Sequence, residues 1–309
     1  MEILIQCALL LLGFIMLVKG ADWFVDGAAG IADRFGVPQL VIGLTIVAMG
    51  TSAPEAAVSI TAALKGNAGI TIGNIVGSNI LNILIILGIT SAIVAVAVAK
   101  STIRAEIPYM LAITLLLFFM GYTGNEVTFS EGIILWIAFL AYLFYLFWMA
   151  KKNKEETLEE NRELPLWKLL VAAVLGLVLV VWGSDVTVDA ATNIARNIGL
   201  SDRFIGLTIV ALGTSLPELF TSVSAAIKGK ADIAIGNIVG SNIFNILFVI
   251  GTTALITPVL FEANFLIDTM VALGAGVLLL MCVLRERKLK RVHGILMLLC
   301  YGAYFIYLL

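Results

Sequence analysis

The sequence predicts an all-α integral membrane protein with ten transmembrane helices, arranged as two inverted five-helix repeats. Three observations lead to this prediction: the composition, the spacing of apolar runs, and an internal duplication. Of the 309 residues, 61% are hydrophobic and only 13% are charged, and the mean hydropathy is +1.07. A soluble protein of this length needs far more polar surface to face water. The composition therefore excludes the soluble classes.

Ten apolar runs are long enough to cross a bilayer as helices, for which about 20 residues are needed. They cover residues 3–27, 37–65, 69–92, 103–122, 130–150, 166–190, 200–228, 232–256, 264–284 and 292–308. The first run has no basic leading segment and no clear cleavage site, which favours a retained helix over a signal peptide. The cysteines Cys7, Cys282 and Cys300 lie in apolar stretches without metal-ligand spacing and are interpreted as packing residues.

Basic residues are concentrated in every second loop between the predicted spans. These loops contain Lys100 and Arg104; Lys151, Lys152, Lys154, Arg162 and Lys168; Lys228 and Lys230; and Arg285, Arg287, Lys288, Lys290 and Arg291. Cytoplasmic loops carry an excess of Lys and Arg, so these loops are predicted to be cytoplasmic and both termini extracellular. We expect the protein to be a multi-pass component of the plasma membrane.

A duplication relates the two halves of the chain. Residues 42–88 align without a gap to residues 205–251 at a constant offset of 163, and about two-thirds of the aligned positions are identical. The predicted organisation is a first five-helix repeat (1–150), a cytoplasmic linker (151–165) and a second repeat (166–309). Because five is odd, the second repeat must enter the membrane from the opposite side, which is the inverted-repeat plan of secondary transporters.

Each repeat carries one acid deep inside an apolar segment, Glu55 or Glu218. Both follow the pattern G-T-S-x-P-E, and neither has a basic residue within two helical turns. An ionisable side chain in a membrane span costs around 2.5–3.5 kcal/mol on insertion scales and usually marks a pathway. A bound cation or a proton must balance each acid. The proline is expected to free carbonyls near Gly50 and Gly213 and to unwind the turns around Ala48 and Ala211.

Further oxygen-bearing side chains follow in the next predicted helix of each repeat. Asn74, Ser78 and Asn82 are spaced by four residues, so they lie on one helical face, and the second repeat has the same pattern at Asn237, Ser241 and Asn245. The steps Gly73–Gly77 and Gly236–Gly240 are typical of close helix packing. Oxygen ligands without Cys or His suit Na⁺, Ca²⁺ or Mg²⁺.

Other polar residues are assigned lesser roles. For Asn79 and Asn242, hydrogen bonds between helices are at least as well supported by the sequence as ion ligation. Four aspartates are expected to face a helix end or a vestibule: Asp22, Asp26, Asp185 and Asp189. Four glutamates are interpreted as loop or interface acids: Glu106, Glu126, Glu131 and Glu262.

Charge counting favours calcium as the divalent ion. Two carboxylates neutralise one Ca²⁺, and two Na⁺ carry the same charge, whereas Mg²⁺ holds its water too tightly to enter an all-protein cage readily. Several alternatives stay open from the residues alone: two protonated structural acids, a proton-driven antiporter, or a cation channel. An intramembrane hydrolase is disfavoured because the chain has no Ser–His pair, no metal-binding His cluster and no G-x-G-D aspartate.

The paired G-T-S-x-P-E and G-N-I-V-G-S-N-I-x-N-I segments resemble the two α-repeats of the calcium/cation antiporter superfamily. The closest branch is the sodium/calcium exchangers, particularly the short prokaryotic members. The resemblance implies exchange of Na⁺ for Ca²⁺ by alternating access, with two long helices near 3–30 and 166–193 sliding to switch access. It implies no enzymatic activity, no cofactor beyond the transported ions, no nucleic acid and no obligate protein partner, with membrane lipid as the surroundings.

The resemblance also implies a set of ion ligands on the matching positions. They are the backbone carbonyls of Ala48 and Ala211 and the side chains of Thr51, Ser52, Glu55, Ser78, Asn82, Thr214, Ser215, Glu218, Ser241 and Asn245. Some relatives carry an acid at the position of Asn245, and in the potassium-dependent branch that acid is linked to K⁺ binding. Asn245 therefore argues against K⁺ co-transport. The linker is also too short for the calcium-sensing domains of the animal exchangers.

Overall fold

A computed structural model describes residues 2–65, 69–152, 165–198 and 211–308 of the chain. Its helices, numbered here in chain order, are α1 (Glu2–Phe35), α2 (Gln39–Thr51), α3 (Ala53–Leu64), α4 (Gly69–Leu81, continuing to Ile93), α5 (Thr102–Gly124), α6 (Phe129–Lys152), α7 (Leu166–Asn197), α8 (Ala211–Gly213), α9 (Leu216–Ile227), α10 (Ala231–Ile256), α11 (Ala263–Leu284) and α12 (Arg291–Leu308). The protein is mostly helical, as its composition predicts.

Eight of the described helices are long and apolar enough to cross a membrane, and α2 with α3 forms a bent ninth candidate. The predicted seventh span, 200–228, lies partly outside the described residues, and its described part contains the short apolar helix α9. The other nine predicted runs each correspond to a span in the structure. Pro54 at the start of α3 accounts for the bend, since a proline is tolerated in the first turn of a helix but not inside one.

The break between α2 and α3 is at Ser52, where the backbone leaves the helical region (φ −83°, ψ 7°). The expected unwinding around Ala48 is wrong, because Ala48–Thr51 is helical and the Ala48 carbonyl accepts a backbone hydrogen bond of 3.0 Å from Ser52. The two helices meet at an angle of 48°. The proline thus displaces the break to the residue two positions before it.

Short strands join the ends of the helices in two antiparallel pairs. Strand β1 (Val96–Ala97) pairs with β4 (Lys288–Leu289), and β2 (Glu126–Val127) pairs with β3 (Val259–Leu260). β3 follows β1 by 163 residues and β4 follows β2 by 162, so exchanging the two repeats maps one pair onto the other. Because α5 separates β1 from β2, equivalent strands lie at opposite ends of the bundle.

Helices α1 and α7 pack against each other along their length. The contact is backbone to backbone, because a Cβ added to Gly20 would lie 2.8 Å from the Val180 nitrogen, and one added to Gly176 would lie 2.4 Å from the Phe24 nitrogen. No side chain fits at either position. Glycine therefore allows the two long helices to approach more closely than any other residue would.

Helices α4 and α10 form the centre of the bundle. Within its most apolar stretch, α10 has 94% of its residues buried and α4 has 72%. Each contains a π-helical turn at the equivalent place, Asn82–Ile86 in α4 and Asn245–Ile250 in α10. Such turns are rare in proteins overall, but those that occur are often found at functional sites. Gly236 and Gly240 pack closely against the backbone of α2 at Gly43 and Leu44, which confirms the predicted close approach in the second repeat.

Glu106 is not the loop or interface acid that the sequence analysis assigned. Its side chain is 1% exposed in the first turn of α5, and the Tyr145 hydroxyl of α6 donates a hydrogen bond to it. The tyrosine lies 39 residues further along the chain, so the sequence around Glu106 gives no sign of its partner. The hydroxyl lowers the cost of burying this acid.

Candidate ion-binding site

The acids Glu55 and Glu218 are both fully buried, in the first turns of α3 and α9. Each is hydrogen-bonded by a serine of the other repeat. Ser52 Oγ donates to Glu218 Oε1 at 2.8 Å, and Ser215 Oγ lies 3.5 Å from Glu55 Oε1. The two G-T-S-x-P-E segments therefore meet reciprocally, and the fold brings together two acids that are 163 residues apart.

Ser78 connects α4 to this meeting point. Its hydroxyl donates to Glu55 Oε1 at 3.3 Å and lies 3.3 Å from the Ser215 hydroxyl. Glu55, Ser78 and Ser215 therefore form one cluster of oxygen atoms from three helices. Two of the helices belong to the first repeat and one to the second.

The asparagines of the π-helical turns, Asn82 and Asn245, are also fully buried. The Asn82 amide nitrogen donates to Asn242 Oδ1 at 2.9 Å, and the Asn245 amide nitrogen donates to Asn79 Oδ1 at 3.1 Å. Asn79 and Asn242 in turn donate to each other's carbonyls at 3.2 Å. Asn79 and Asn242 thus join the helices, as one interpretation of the sequence held, and they orient Asn82 and Asn245.

Four carboxylate and amide oxygens of this group of residues have no hydrogen-bond partner in the described part of the chain, where Glu106 Oε2, outside the group, is a further such carboxylate oxygen. They are Glu55 Oε2, Glu218 Oε2, Asn82 Oδ1 and Asn245 Oδ1, and all four are buried. They come in equivalent pairs, one carboxylate and one amide from each repeat. Buried polar atoms in proteins are nearly always satisfied, so four acceptors without a donor need an explanation. A cation supplies one, because it interacts with acceptor oxygens that carry no hydrogen.

A second oxygen cluster surrounds the Ala48 carbonyl of α2. This carbonyl accepts hydrogen bonds from Thr51 Oγ1 at 3.3 Å and Ser241 Oγ at 3.4 Å, and Thr51 Oγ1 also lies 3.0 Å from Asn237 Oδ1. Ser241 belongs to the second repeat, so this cluster too joins both halves. The equivalent carbonyl, that of Ala211, follows directly after residues outside the described part of the chain, and the Ala211 side chain is not described.

Two serines at the site were missed by sequence reasoning, Ser59 and Ser222. Asn74 Nδ2 donates to Ser59 Oγ at 3.0 Å, and Asn237 Nδ2 donates to Ser222 Oγ at 2.9 Å. The same amides lie 3.4 Å and 3.3 Å from the backbone carbonyls of Glu55 and Glu218. These contacts support the acids through their own backbone. The signal was present, because both serines are identical across the duplication.

A cavity of about 630 Å³ lies beside the site, between α3 and α7. Its walls include Pro54 and Thr214, which neighbour Glu55 and Ser215 in the chain, and the half-exposed Thr214 thus faces the cavity. Asp185 and Asp189 line the cavity at α7, as the predicted vestibule requires. On the other side, Asp22 and Asp26 of α1 form ion pairs with Lys228.

No cluster of three or more His, Cys, Asp or Glu side chains suited to a metal occurs in the described part of the chain. The donors at the site are carboxylates, amides, hydroxyls and carbonyls, which is the ligand chemistry of hard cations. Such a site between related halves of a membrane-spanning bundle indicates the class of the protein: a membrane transport protein for hard cations.

The family follows from comparison with known proteins. The model of the family described as "Sodium/calcium exchanger protein" matches residues 5–148 and 168–309. The chain belongs to this family, which is part of the calcium/cation antiporter superfamily. The family consists of exchangers and not of enzymes.

Two curated relatives cover nearly the whole chain. CaxA of Alkalimonas amylolytica is 40% identical over 97% of this chain and 98% of its own length. The sodium/calcium exchanger MaX1 of Methanosarcina acetivorans is 32% identical over 99% of both chains.

The fold also matches solved structures of the sodium-calcium exchanger NCX_Mj. In a crystal soaked with zero Na⁺ and Ca²⁺ the TM-score is 0.86 at 32% identity, over 99% of this chain and 100% of that one. In a crystal soaked with 2.5 mM Na⁺ and 0.1 mM Ca²⁺ the TM-score is 0.84 at 33% identity, over 98% of both chains.

Proposed function

We propose that this protein exchanges Na⁺ for Ca²⁺ across the membrane by alternating access. The observation that carries the proposal is the set of four buried acceptor oxygens without donors at Glu55, Glu218, Asn82 and Asn245. MaX1 and NCX_Mj, which resemble the chain over nearly its full length, are named sodium/calcium exchangers. The proposal assigns their substrates to this chain.

The proposed calcium ligands are the oxygens that surround the two acids. Calcium takes 6–8 oxygen ligands, which the two carboxylates, two asparagine amides and neighbouring hydroxyls can supply. The full proposed set for both ions is Ala48, Thr51, Ser52, Glu55, Ser78, Asn82, Ala211, Thr214, Ser215, Glu218, Ser241 and Asn245. The serine hydroxyls now donate to the carboxylates, and they would turn their lone pairs toward a bound cation.

The transport of Na⁺ is coupled to that of Ca²⁺ because the two ions share these ligands. One site with two carboxylates cannot hold Ca²⁺ and several Na⁺ at once, so each ion load favours release of the other. If more than two Na⁺ exchange for one Ca²⁺, a net charge crosses in every cycle. Each such charge changes the free energy by about 2.3 kcal/mol per 100 mV of membrane potential. The exchange would then respond to voltage.

The proposal includes a membrane arrangement. Two inverted repeats of five spans each (1–150 and 166–309) would place both termini outside the cell and the linker 151–165 in the cytoplasm. The exchange relation between the two strand pairs supports the inversion. The distribution of Lys and Arg supports the orientation. A plasma-membrane location is part of the proposal. The cavity of about 630 Å³ between α3 and α7 would then open to the outside.

Flux of ⁴⁵Ca²⁺ into proteoliposomes tests the proposal. Vesicles loaded with Na⁺ and diluted into Na⁺-free buffer are compared with vesicles loaded with K⁺ or choline at the same ionic strength. We expect rapid uptake only from the Na⁺-loaded vesicles, because the outward Na⁺ gradient drives Ca²⁺ inward. Empty liposomes with the same gradient measure leakage.

The same vesicles distinguish the competing functions. Uptake that ignores the Na⁺ gradient but follows an acid interior identifies a proton/calcium antiporter, since Glu55 and Glu218 could exchange protons instead. Uncoupled flux far above transporter turnover identifies a channel. Either result would refute the proposal that the protein exchanges Na⁺ for Ca²⁺.

A further inference from the structure

Lys228 joins the end of α9 to α1 on the side of the protein opposite the large cavity. Its Nζ lies 2.8 Å from Asp26 Oδ2 and 3.4 Å from Asp22 Oδ1, and it donates to the Asp22 carbonyl at 3.0 Å. Ser224 Oγ adds a hydrogen bond of 2.7 Å to Asp22 Oδ1. Ser224 of α9 and Lys228 directly after it thus hold two acids of α1.

The duplication places counterparts of Lys228, Ser224, Asp22 and Asp26 at the other end of the bundle. The offset of 163 places Asp185 and Asp189 on α7, Thr61 on α3 and Lys65 directly after it. The chemistry of all four positions is kept, with Thr61 in place of Ser224. Neighbouring positions have diverged, since Phe220 corresponds to Ala57.

The equivalent contact is absent on the open side. Lys65, Thr61, Asp185 and Asp189 are all exposed, and no side-chain hydrogen bond or ion pair joins them within the described ranges. The cavity of about 630 Å³ lies between the two helices that carry them. The corresponding space beside Lys228 is about 210 Å³, and Phe220 lies in its wall. Lys228 and its two aspartates are therefore in contact on the side with the small cavity. Their counterparts are apart on the side with the large cavity.

We propose that Lys228 and Lys65 are alternating latches: Lys228 holds Asp22 and Asp26 while the site opens on one side, and Lys65 takes Asp185 and Asp189 when it opens on the other. The proposal rests on the alternating access proposed above. Sliding α1 and α7 together would separate one lysine from its acids and bring the other lysine to its own. Both lysines are positioning residues, because neither touches the ion site.

The energy of each latch sets the size of the expected effect. The side chains of Lys228, Asp22 and Asp26 are 27%, 36% and 62% exposed, so solvent screens the pairs. Ion pairs of this kind shift an equilibrium by a factor of about two to five. That is enough to change the balance of two conformations without locking either one.

Cysteine accessibility in nanodiscs tests the proposal, because both faces of the protein are then open to reagent. The native cysteines Cys7, Cys282 and Cys300 are replaced by alanine. Single reporters are then introduced by Ala57→Cys in the wall of the large cavity or Val223→Cys in the wall of the small one. The measured quantity is the rate of labelling by a hydrophilic maleimide.

We expect Lys228→Gln to slow labelling of the Ala57→Cys reporter. The ratio of the Ala57→Cys labelling rate to the Val223→Cys labelling rate should fall about two- to five-fold. Lys65→Gln should change the ratio by a similar factor in the opposite direction. Lys228→Arg, which keeps the charge, should restore the original ratio. A local structural effect of Lys228 would not reach the far reporter.

The latch proposal is overturned if the reporter on the far side does not change, or if both lysine variants change the ratio in the same direction. Labelling does not depend on which ion drives transport. A failed sodium test with reciprocal labelling therefore refutes only the exchange proposal, and intact exchange without reciprocal labelling refutes only the latches.

Discussion

At the scale of residues, the protein relies on acceptor oxygens that its own donors leave unbonded. The amide nitrogens of Asn82 and Asn245 are both used in bonds to the other repeat, which directs their oxygens away from those partners. Ser52 and Ser215 each bond one oxygen of an acid and leave the second without a donor. Each of these four donor groups thus makes at least one hydrogen bond, while acceptor oxygens are left over.

Glu55→Gln and Glu218→Gln are expected to abolish stabilisation by Ca²⁺. Each change keeps the side-chain shape but removes a charge that balances the ion. A ligand at 100 times its dissociation constant stabilises the folded state by about 2.7 kcal/mol, which the wild type should show as a rise in Tm. Thermal unfolding in detergent with and without Ca²⁺ measures this difference.

Glu262→Gln provides the matched control, since Glu262 is an exposed acid at the start of α11. Its Ca²⁺-dependent rise in Tm should equal that of the wild type. Full Ca²⁺ stabilisation in the Glu55→Gln and Glu218→Gln double variant would contradict the assignment of these acids as ligands.

At the scale of elements, the backbone contact between α1 and α7 leaves no room for a side chain. Gly176 lies so close to Phe24 that a methyl group has no room. The proposed sliding of these helices requires a smooth contact, and glycines provide one on both sides. The helices are therefore tightly packed while presenting few side chains that would block sliding.

Gly176→Ala is expected to reduce both stability and transport. The added Cβ would lie 2.4 Å from the Phe24 nitrogen, which is backbone and cannot rotate away. Overpacking of this kind typically costs about 1–3 kcal/mol. The Tm and the rate of Na⁺-driven ⁴⁵Ca²⁺ uptake measure the two effects.

The same substitution at Gly274 serves as the comparison. Gly274 is an exposed residue of α11, and an added Cβ would meet no atom within 4 Å among the described residues. Gly274→Ala should leave transport unchanged and can raise helix stability by up to about 1 kcal/mol. If Gly176→Ala and Gly274→Ala have the same Tm and the same uptake rate, the α1–α7 contact tolerates a side chain.

At the scale of the whole molecule, the two repeats complete each other's sites. Hydrogen bonds from the other half reach both carboxylates and the Ala48 carbonyl, and the strands pair only between halves in the described part of the chain. Neither half could therefore form the site alone. The extensive contact between the repeats also lets a movement in one affect the other.

The proposed topology predicts where tags are accessible in intact cells. An epitope tag at either terminus should bind antibody from outside, whereas a tag inserted in the linker 151–165 should bind only after permeabilisation. Five spans per repeat require this arrangement, because an odd number places the linker opposite both termini. Accessibility of the linker tag in intact cells, or of only one terminus, would contradict the inverted five-span repeats.

The sequence by itself determined the class, the duplication and the two acids. Glu55 and Glu218 could be identified because an acid within an apolar span is costly, and its repetition after the same proline excludes chance. The π-helical turns, the break at Ser52 and the burial of Glu106 were not predicted. Each of these depends on contacts with other helices that no local pattern records.

Only the tertiary structure decided how the site is assembled and which side of it is open. Ser52 donates a hydrogen bond to Glu218, which is 166 residues further along the chain. The pairs Asn82–Asn242 and Asn79–Asn245 have a similar separation in sequence. The duplication makes the two sides nearly equivalent in sequence, so hydropathy and spacing cannot distinguish them. Packing breaks that equivalence, because Lys228 forms ion pairs with α1 on one side, whereas the large cavity lies between α3 and α7 on the other.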